Sequence, residues 1–283
     1  RALGNSTVPL VFLAVSAILN IAWDLLFVAV FHWGIAGAAY ATIFAQYVSG
    51  IGILLYILFR CRSLFPERKE LCFDGGILKE IAGLSSLTCL QQSVMNFGIL
   101  MVQGLVNSFG ATTMAAFAAA VKIDTFAYLP VQDFGNAYST FVAQNYGAGN
   151  KERIRRGTKE SFAISTAFSL VISALVFAFA APLMQIFVSS AETAVIASGV
   201  RYLRIEGAFY FGIGCLFLLY GYYRAIKRAE MSVVLTVISL GIRVLLAYVL
   251  SATFLGETGI WMAIPIGWIL ADLTGLLYMR KTW

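Results

Sequence analysis

The chain has 283 residues, 60% of them apolar and only 12% charged, with a formal net charge of +6. A water-soluble domain carries about a quarter charged residues, so this composition excludes an ordinary soluble protein and points to the bilayer. The basic residues sit in short connections beside apolar runs, where anionic lipid headgroups balance them, so nucleic acid is excluded as a partner.

Eight apolar segments reach the roughly 20 residues needed to cross the hydrocarbon core. They cover about 8–31, 35–59, 80–108, 112–146, 161–188, 193–222, 231–254 and 259–279. In lipid each backbone N–H must be satisfied within its own segment or in a closed barrel, so the segments read as helices. The connections alternate in charge. Arg1 precedes the first segment, and Arg60, Arg62, Arg68, Lys69 and Lys79 follow the second. Lys151, Arg153, Arg155, Arg156 and Lys159 follow the fourth, Arg224, Lys227 and Arg228 the sixth, and Arg280 and Lys281 the eighth. The other connections, near 32–33, 108–112, 189–192 and 255–257, have no Lys or Arg. This positive-inside alternation predicts an even number of spans with both chain ends cytoplasmic.

Two connections read as long and charged: 60–79, with Pro66 and Gly75–Gly76, and 147–160. The first has the character of a linker between two bundles. Pro130 and Gly135 interrupt the over-long fourth segment and predict a kink there. Gln144–Asn145 with Gly147–Ala148–Gly149 reads as a helix end, not a phosphate cradle. Cys61, Cys72, Cys89 and Cys215 form no C-x-x-C pair and read as reduced structural thiols. The single histidine, His32, excludes a His-based metal or catalytic cluster.

The chain repeats itself. Arg1-Ala2-Leu3 recurs as Arg224-Ala225-Ile226, Ser16 meets Ser239, and Phe31 meets Phe254. After a two-residue shift Gly34-Ile35 meets Gly259-Ile260 and Ala38 meets Ala263. Each copy is a basic turn, a span, a short outer connection and a second span, in the same orientation. Parallel repeats of this kind are a transporter architecture. Four spans precede the second copy. By that symmetry, and because the chain opens on Arg1 with neither an initiator Met nor a cleavable signal peptide, it reads as part of a protein of twelve spans, six plus six.

The motifs Arg1-Ala2-Leu3-Gly4-Asn5 with Pro9, Leu19-Asn20-Ile21 with Asp24, and Trp33-Gly34-Ile35-Ala36-Gly37-Ala38-Ala39 stand in order with Gln91-Gln92, Phe109-Gly110, Ala115-Ala116-Phe117 and Ile123-Asp124. Gln144-Asn145, Gly259-Ile260-Trp261 and Pro265-Ile266-Gly267-Trp268 complete the series. In this order and spacing the whole chain resembles the multidrug and toxic compound extrusion (MATE) transporters. The resemblance implies an all-α integral membrane protein, a polytopic bundle whose complete form has two pseudo-symmetric six-helix lobes. This chain would supply the fifth to twelfth helices. Residues 1–59 would be the last two helices of the N-lobe, 60–79 a cytoplasmic inter-lobe linker, and 80–283 the six-helix C-lobe.

Charged residues inside a span are costly and mark function or pairing. Asp24 lies deep in the first span, with Asn20 four residues earlier on the same face and Thr42 at matching depth on the next helix. A carboxylate, an amide oxygen and a hydroxyl are hard ligands suited to Na⁺ or a shared proton. In the resembled family Asn, Asp and Thr take this spacing in an N-lobe cation site, completed by an acidic residue on the first helix. The alternative is a buried carboxylate held for packing. In the repeat Arg243 stands at the position of Asn20 and Ala247 at that of Asp24, which predicts an asymmetric protein coupled through its N-lobe. The acidic positions of a C-lobe Na⁺ site found in some relatives fall near Met95 and Ile213, neither a ligand.

The other intramembrane charges are Lys122, Asp124, Asp133, Glu206, Arg243 and Asp272; Lys122 and Asp124 are each expected to pair with another helix, with Glu206 the candidate partner of Lys122. Arg201 and Arg204 read as snorkelling outward. Polar stripes run along the third span (Ser85, Cys89, Gln92, Asn96, Gln103, Asn107) and the fourth (Thr125, Tyr128, Gln132, Asn136, Thr140). Gln92, Asn96, Gln103, Tyr128, Gln132 and Asn136 are the candidate walls of a substrate cavity. Interhelical hydrogen bonding is the alternative reading of both stripes.

The functional expectation is a secondary antiporter in the plasma membrane, monomeric, without cofactor, driven by Na⁺ or H⁺ and exporting amphiphilic or cationic organic compounds. The alternative is a flippase for lipid-linked oligosaccharides, which would use cations such as Lys122 and Arg243. A membrane enzyme is disfavoured, because the chain has no interfacial cluster of His, Asp or Ser.

Overall fold

A computed structural model describes residues 5–60 and 73–282. Residues 1–3 of the repeat, and Cys61, Arg62, Pro66, Arg68, Lys69 and Cys72 of the linker, lie outside the described residues. Those described form helices and no strand. In order these are α1 (Thr7–Asp24), continued by a π-helical run (Leu25–Val30); α2 (Gly34–Arg60); α3 (Gly75–Ser108); α4 (Ala111–Gly147); α5 (Lys151–Gln185); α6 (Thr193–Gly207); α7 (Tyr210–Ala225); α8 (Ala229–Thr236), followed by a π-helical turn (Val237–Gly241); α9 (Ile242–Ser251); and α10 (Glu257–Thr282). Seven of these runs are long and apolar enough to span a membrane. The bent pair α6–α7 makes eight.

The chain divides into two compact units, residues 1–75 and 76–283. The first is the α1–α2 hairpin. The second is a bundle in which α4, α5, α6, α7 and α10 pack on one another and the π turn and α9 pack on α10. Trp261, Tyr223, Met184, Leu203, Leu218 and Leu219 are wholly buried in its core.

Three sequence expectations change. The charged connection 147–160 is helical from Lys151: Asn150 Oδ1 accepts the Arg153 N–H at 3.1 Å, an N-cap, and Lys, Glu and Arg are good helix formers. The turn shrinks to Ala148–Asn150, with Gly149 at φ 69° just past the end of α4, the conformation a glycine C-cap requires. Likewise α3 begins at Gly75, so the inter-lobe connection is shorter than 60–79.

The third change concerns the kink. α4 runs unbroken through Pro130. A proline removes one ladder hydrogen bond, and the surrounding contacts hold the helix: a side chain at Gly135 would begin 3.0 Å from the Phe217 carbonyl oxygen, so α4 and α7 touch backbone to backbone. The interruptions lie elsewhere. Phe179 in α5 is non-helical (φ −103°, ψ 18°), and α6 and α7 meet at 52° across Ala208–Phe209.

Candidate functional site

In the hairpin, α2 presents Gly37, Ala41, Ala45 and Ser49 to α1, a small residue every fourth position. Small residues let two membrane helices approach closely. Ser16 Oγ donates to the Ala45 carbonyl at 3.1 Å, and Ser49 Oγ donates to the Phe12 carbonyl at 3.2 Å. This contact fixes the register that brings Asn20 to Thr42: Asn20 Nδ2 donates to Thr42 Oγ1 at 3.4 Å. The Thr42 hydroxyl donates to the Ala38 carbonyl at 3.0 Å. Asp24 lies one turn beyond Asn20, and its Oδ1 is buried without a hydrogen-bond partner among the described residues. The π-helical run starts at the residue after Asp24. Such widened turns recur at functional sites, and no feature of the sequence announced this one.

The bundle holds a second set of charges. Asp124 on α4 and Glu206 on α6 are 3% and 6% exposed. The Tyr210 hydroxyl donates to Asp124 Oδ1, and the Tyr202 hydroxyl lies beside both carboxyl groups. Asp124 Oδ2 and Glu206 Oε2 are buried without partners among the described residues. The cation whose charge acts on both is Arg243. The ion pair expected between Lys122 and Glu206 does not form. Lys122 is two residues from Asp124 and points out of the bundle, its Nζ 5.7 Å from the centre of the Phe187 ring, while Glu206 faces Asp124. Lys122 and Phe187 line an outer cavity of about 560 Å³. Asp272 on α10 is buried beside the Cys215 thiol, with Oδ1 unpartnered among the described residues. Asp133 is exposed.

Arg201 does not snorkel freely. Its guanidinium donates to Glu257 Oε1 at 3.3 Å, and Glu257 Oε2 accepts from Thr113 at 2.8 Å and Ser198 at 3.0 Å, which joins the N-terminal ends of α4, α6 and α10. Arg204 lies 5.3 Å over the Phe177 ring. Of the proposed cavity residues, Gln92, Asn96 and Gln103 lie on the exposed side of α3, while the adjacent Gln91 is buried. Tyr128 and Gln132 are half-buried, with the Tyr128 ring 6.3 Å from that of Phe217. Asn136 Oδ1 accepts from Arg224 Nη2 at 3.4 Å.

The sequence profile of the MatE family matches residues 87–249, more than half of the chain. The chain belongs to the MatE family of transporters. It is 32% identical, over 99% of its length, to the probable multidrug resistance protein YpnP of Bacillus subtilis, of which it covers 62%. It is 27% identical, over 98% of its length, to the probable multidrug resistance protein NorM of Thermotoga maritima, of which it covers 61%. A crystal structure of a mutant of the Vibrio cholerae MATE transporter VcmN superposes over the whole chain with a TM-score of 0.92 at 22% identity, covering 64% of that protein. The chain therefore spans under two thirds of the relatives it matches. The all-α membrane fold and the MATE membership expected from the sequence both hold.

Proposed function

We propose that this chain is part of a secondary antiporter, driven by Na⁺ or H⁺, that exports amphiphilic or cationic organic compounds across the plasma membrane, with both ends of the chain on the cytoplasmic side. The supporting observation is the buried, unpartnered Asp24 carboxyl oxygen one turn from the Asn20–Thr42 pair. An ionisable group inside a membrane marks an ion or proton pathway by default. The π-helical run that begins just after Asp24 gives the helix a widened turn at which cation arrival can be felt. The ion must bind the inward and outward states with different affinity, since equal binding shifts nothing. A gradient is the energy source, because the chain has no phosphate-binding loop for ATP.

The flippase reading gains no support. Of the two cations on which it rests, Lys122 lies 5.7 Å from the centre of the Phe187 ring, and the charge of Arg243 acts on the buried acids Asp124 and Glu206. The test is drug accumulation in cells expressing the full-length protein. Asp24→Asn, inserted at the wild-type level, is expected to return accumulation to that of cells without the transporter. Undiminished and still ion-dependent efflux would exclude Asp24 from coupling.

A further inference from the structure

The two copies of the repeat, α1–α2 and α8–α10, make the same contact with opposite chemistry. Asn20 corresponds to Arg243 and Asp24 to Ala247; across the two-residue shift of the outer connection, Thr42 corresponds to Gly267. In the first copy Asn20 touches Thr42. In the second, Arg243 Cβ lies 3.3 Å from the point where a side chain on Gly267 would begin. The same two helix positions therefore face each other in both copies. The second copy replaces an amide by a guanidinium, a carboxylate by the buried methyl group of Ala247, and a hydroxyl by a hydrogen. Every candidate cation ligand is gone, and Gly267 leaves space for the stem of a long cationic side chain.

That cation has a counterpart. Asp124 and Glu206, which face each other from α4 and α6, lie near enough for the charge of Arg243 to act on both, and each keeps one buried oxygen without a partner among the described residues. Arg243 Nε is also buried and unpartnered, and no direct ion pair joins it to either acid among the described residues. Two carboxyl groups this close share one proton, so the pair carries a single negative charge, and out of water that charge needs a positive one beside it. A guanidinium supplies it at any physiological pH.

We propose that Arg243 is a tethered cation. It takes in the C-terminal bundle the place that an exchangeable Na⁺ or H⁺ takes in the N-terminal hairpin, so the transporter exchanges its ion at one of two pseudo-equivalent positions. This deepens the coupling reading above and rests on it for the identity of the exchanging position. Removing the guanidinium leaves the acid pair one positive charge short, and an ion from solution must fill the deficit.

The experiment is the ion-to-substrate ratio of the full-length protein in proteoliposomes. It is read as the reversal potential of ethidium transport under imposed Na⁺ and H⁺ gradients. Arg243→Gln is expected to carry one more cation per ethidium than wild type. Arg243→Lys, and Arg243→Gln combined with Glu206→Gln, are expected to keep the wild-type ratio. An unchanged ratio in Arg243→Gln overturns the proposal. If Arg243→Gln alone does not fold, rescue by Glu206→Gln supports the counter-charge role, and failure of the double variant overturns it in favour of simple packing. Asp24→Asn in the same assay separates the two readings: if it keeps the wild-type ratio while Arg243→Gln gains a cation, only the N-terminal assignment falls.

Discussion

In the N-terminal hairpin α1 and α2 meet closely through Ser16, Gly37, Ala41, Ala45 and Ser49, all small. The C-terminal bundle instead buries Trp261, Tyr223, Met184, Leu203 and Leu218 completely. In lipid no hydrophobic drive pulls apolar helices together, so close backbone approach and packed volume are the two available means of cohesion. The hairpin uses the first, with serine hydroxyls on carbonyls as its polar ties. The bundle uses the second, reinforced by the Glu257 junction at the N-terminal ends of α4, α6 and α10. The hairpin also carries edge-on ring contacts between its helices, Trp23 to Phe44 at 5.7 Å and Phe27 to Phe44 at 6.1 Å, beside Asp24. Many side chains must repack when the bundle deforms, which suits a scaffold, and its acid pair already carries a cation of its own.

The largest effect that would sharpen this contrast is in the bundle. Trp261 stacks on Phe117 at 5.6 Å and meets Tyr202 edge-on at 4.9 Å, fully buried. Trp261→Ala is expected to cost about 3–5 kcal/mol, read as a lowered thermal midpoint of the purified full-length protein. In the hairpin the damaging change runs the other way. Ala45→Leu overfills a contact built for small residues and is expected to cost about 1–3 kcal/mol. Because Ala45 carries the carbonyl that receives Ser16, the same change separates Asn20 from Thr42 and should weaken ion dependence of transport before it abolishes insertion. A tolerant Ala45→Leu would show that the hairpin is not held by close approach.

The length and polarity of the spans were legible because the bilayer imposes both. So was the Asn20–Thr42 pair, since a four-residue spacing fixes the helix face and the short outer connection fixes depth. The break at Ala208–Phe209 was not legible, as it carries no proline, whereas Pro130 drew attention to a helix that stays whole. Charge sign suggested Lys122 as the partner of Glu206. Burial decided otherwise: Asp124 shares the inward face of α4 with Ala116, Ala120, Ile123, Ala127 and Val131, and Lys122 does not. A signal that was available but unused is the spacing of Tyr202 and Glu206, one turn apart on α6, which sets a hydroxyl beside the acid.

The smallest effect is at the bundle's exposed end. The Glu80 carboxylate, 2.5 Å from Lys227 Nζ, holds that ammonium above its ordinary pKa. A raised lysine pKa stabilises at neutral pH and loses its contribution as pH rises through the folded value. Both groups are more than half exposed, so solvent and salt screen the pair. Glu80→Gln should leave the thermal midpoint unchanged within error at physiological salt. A resolvable drop would place more of the bundle's cohesion in surface charge than its packing suggests.

The central claim is that the exchangeable cation binds beside Asp24. Its most direct measurement is ethidium uptake by full-length protein in proteoliposomes, with and without an imposed Na⁺ or H⁺ gradient, for wild type and Asp24→Asn. The account predicts gradient-driven accumulation by wild type, and in Asp24→Asn a surviving substrate-for-substrate exchange that no gradient accelerates. Gradient-driven accumulation by Asp24→Asn at the wild-type rate would contradict it.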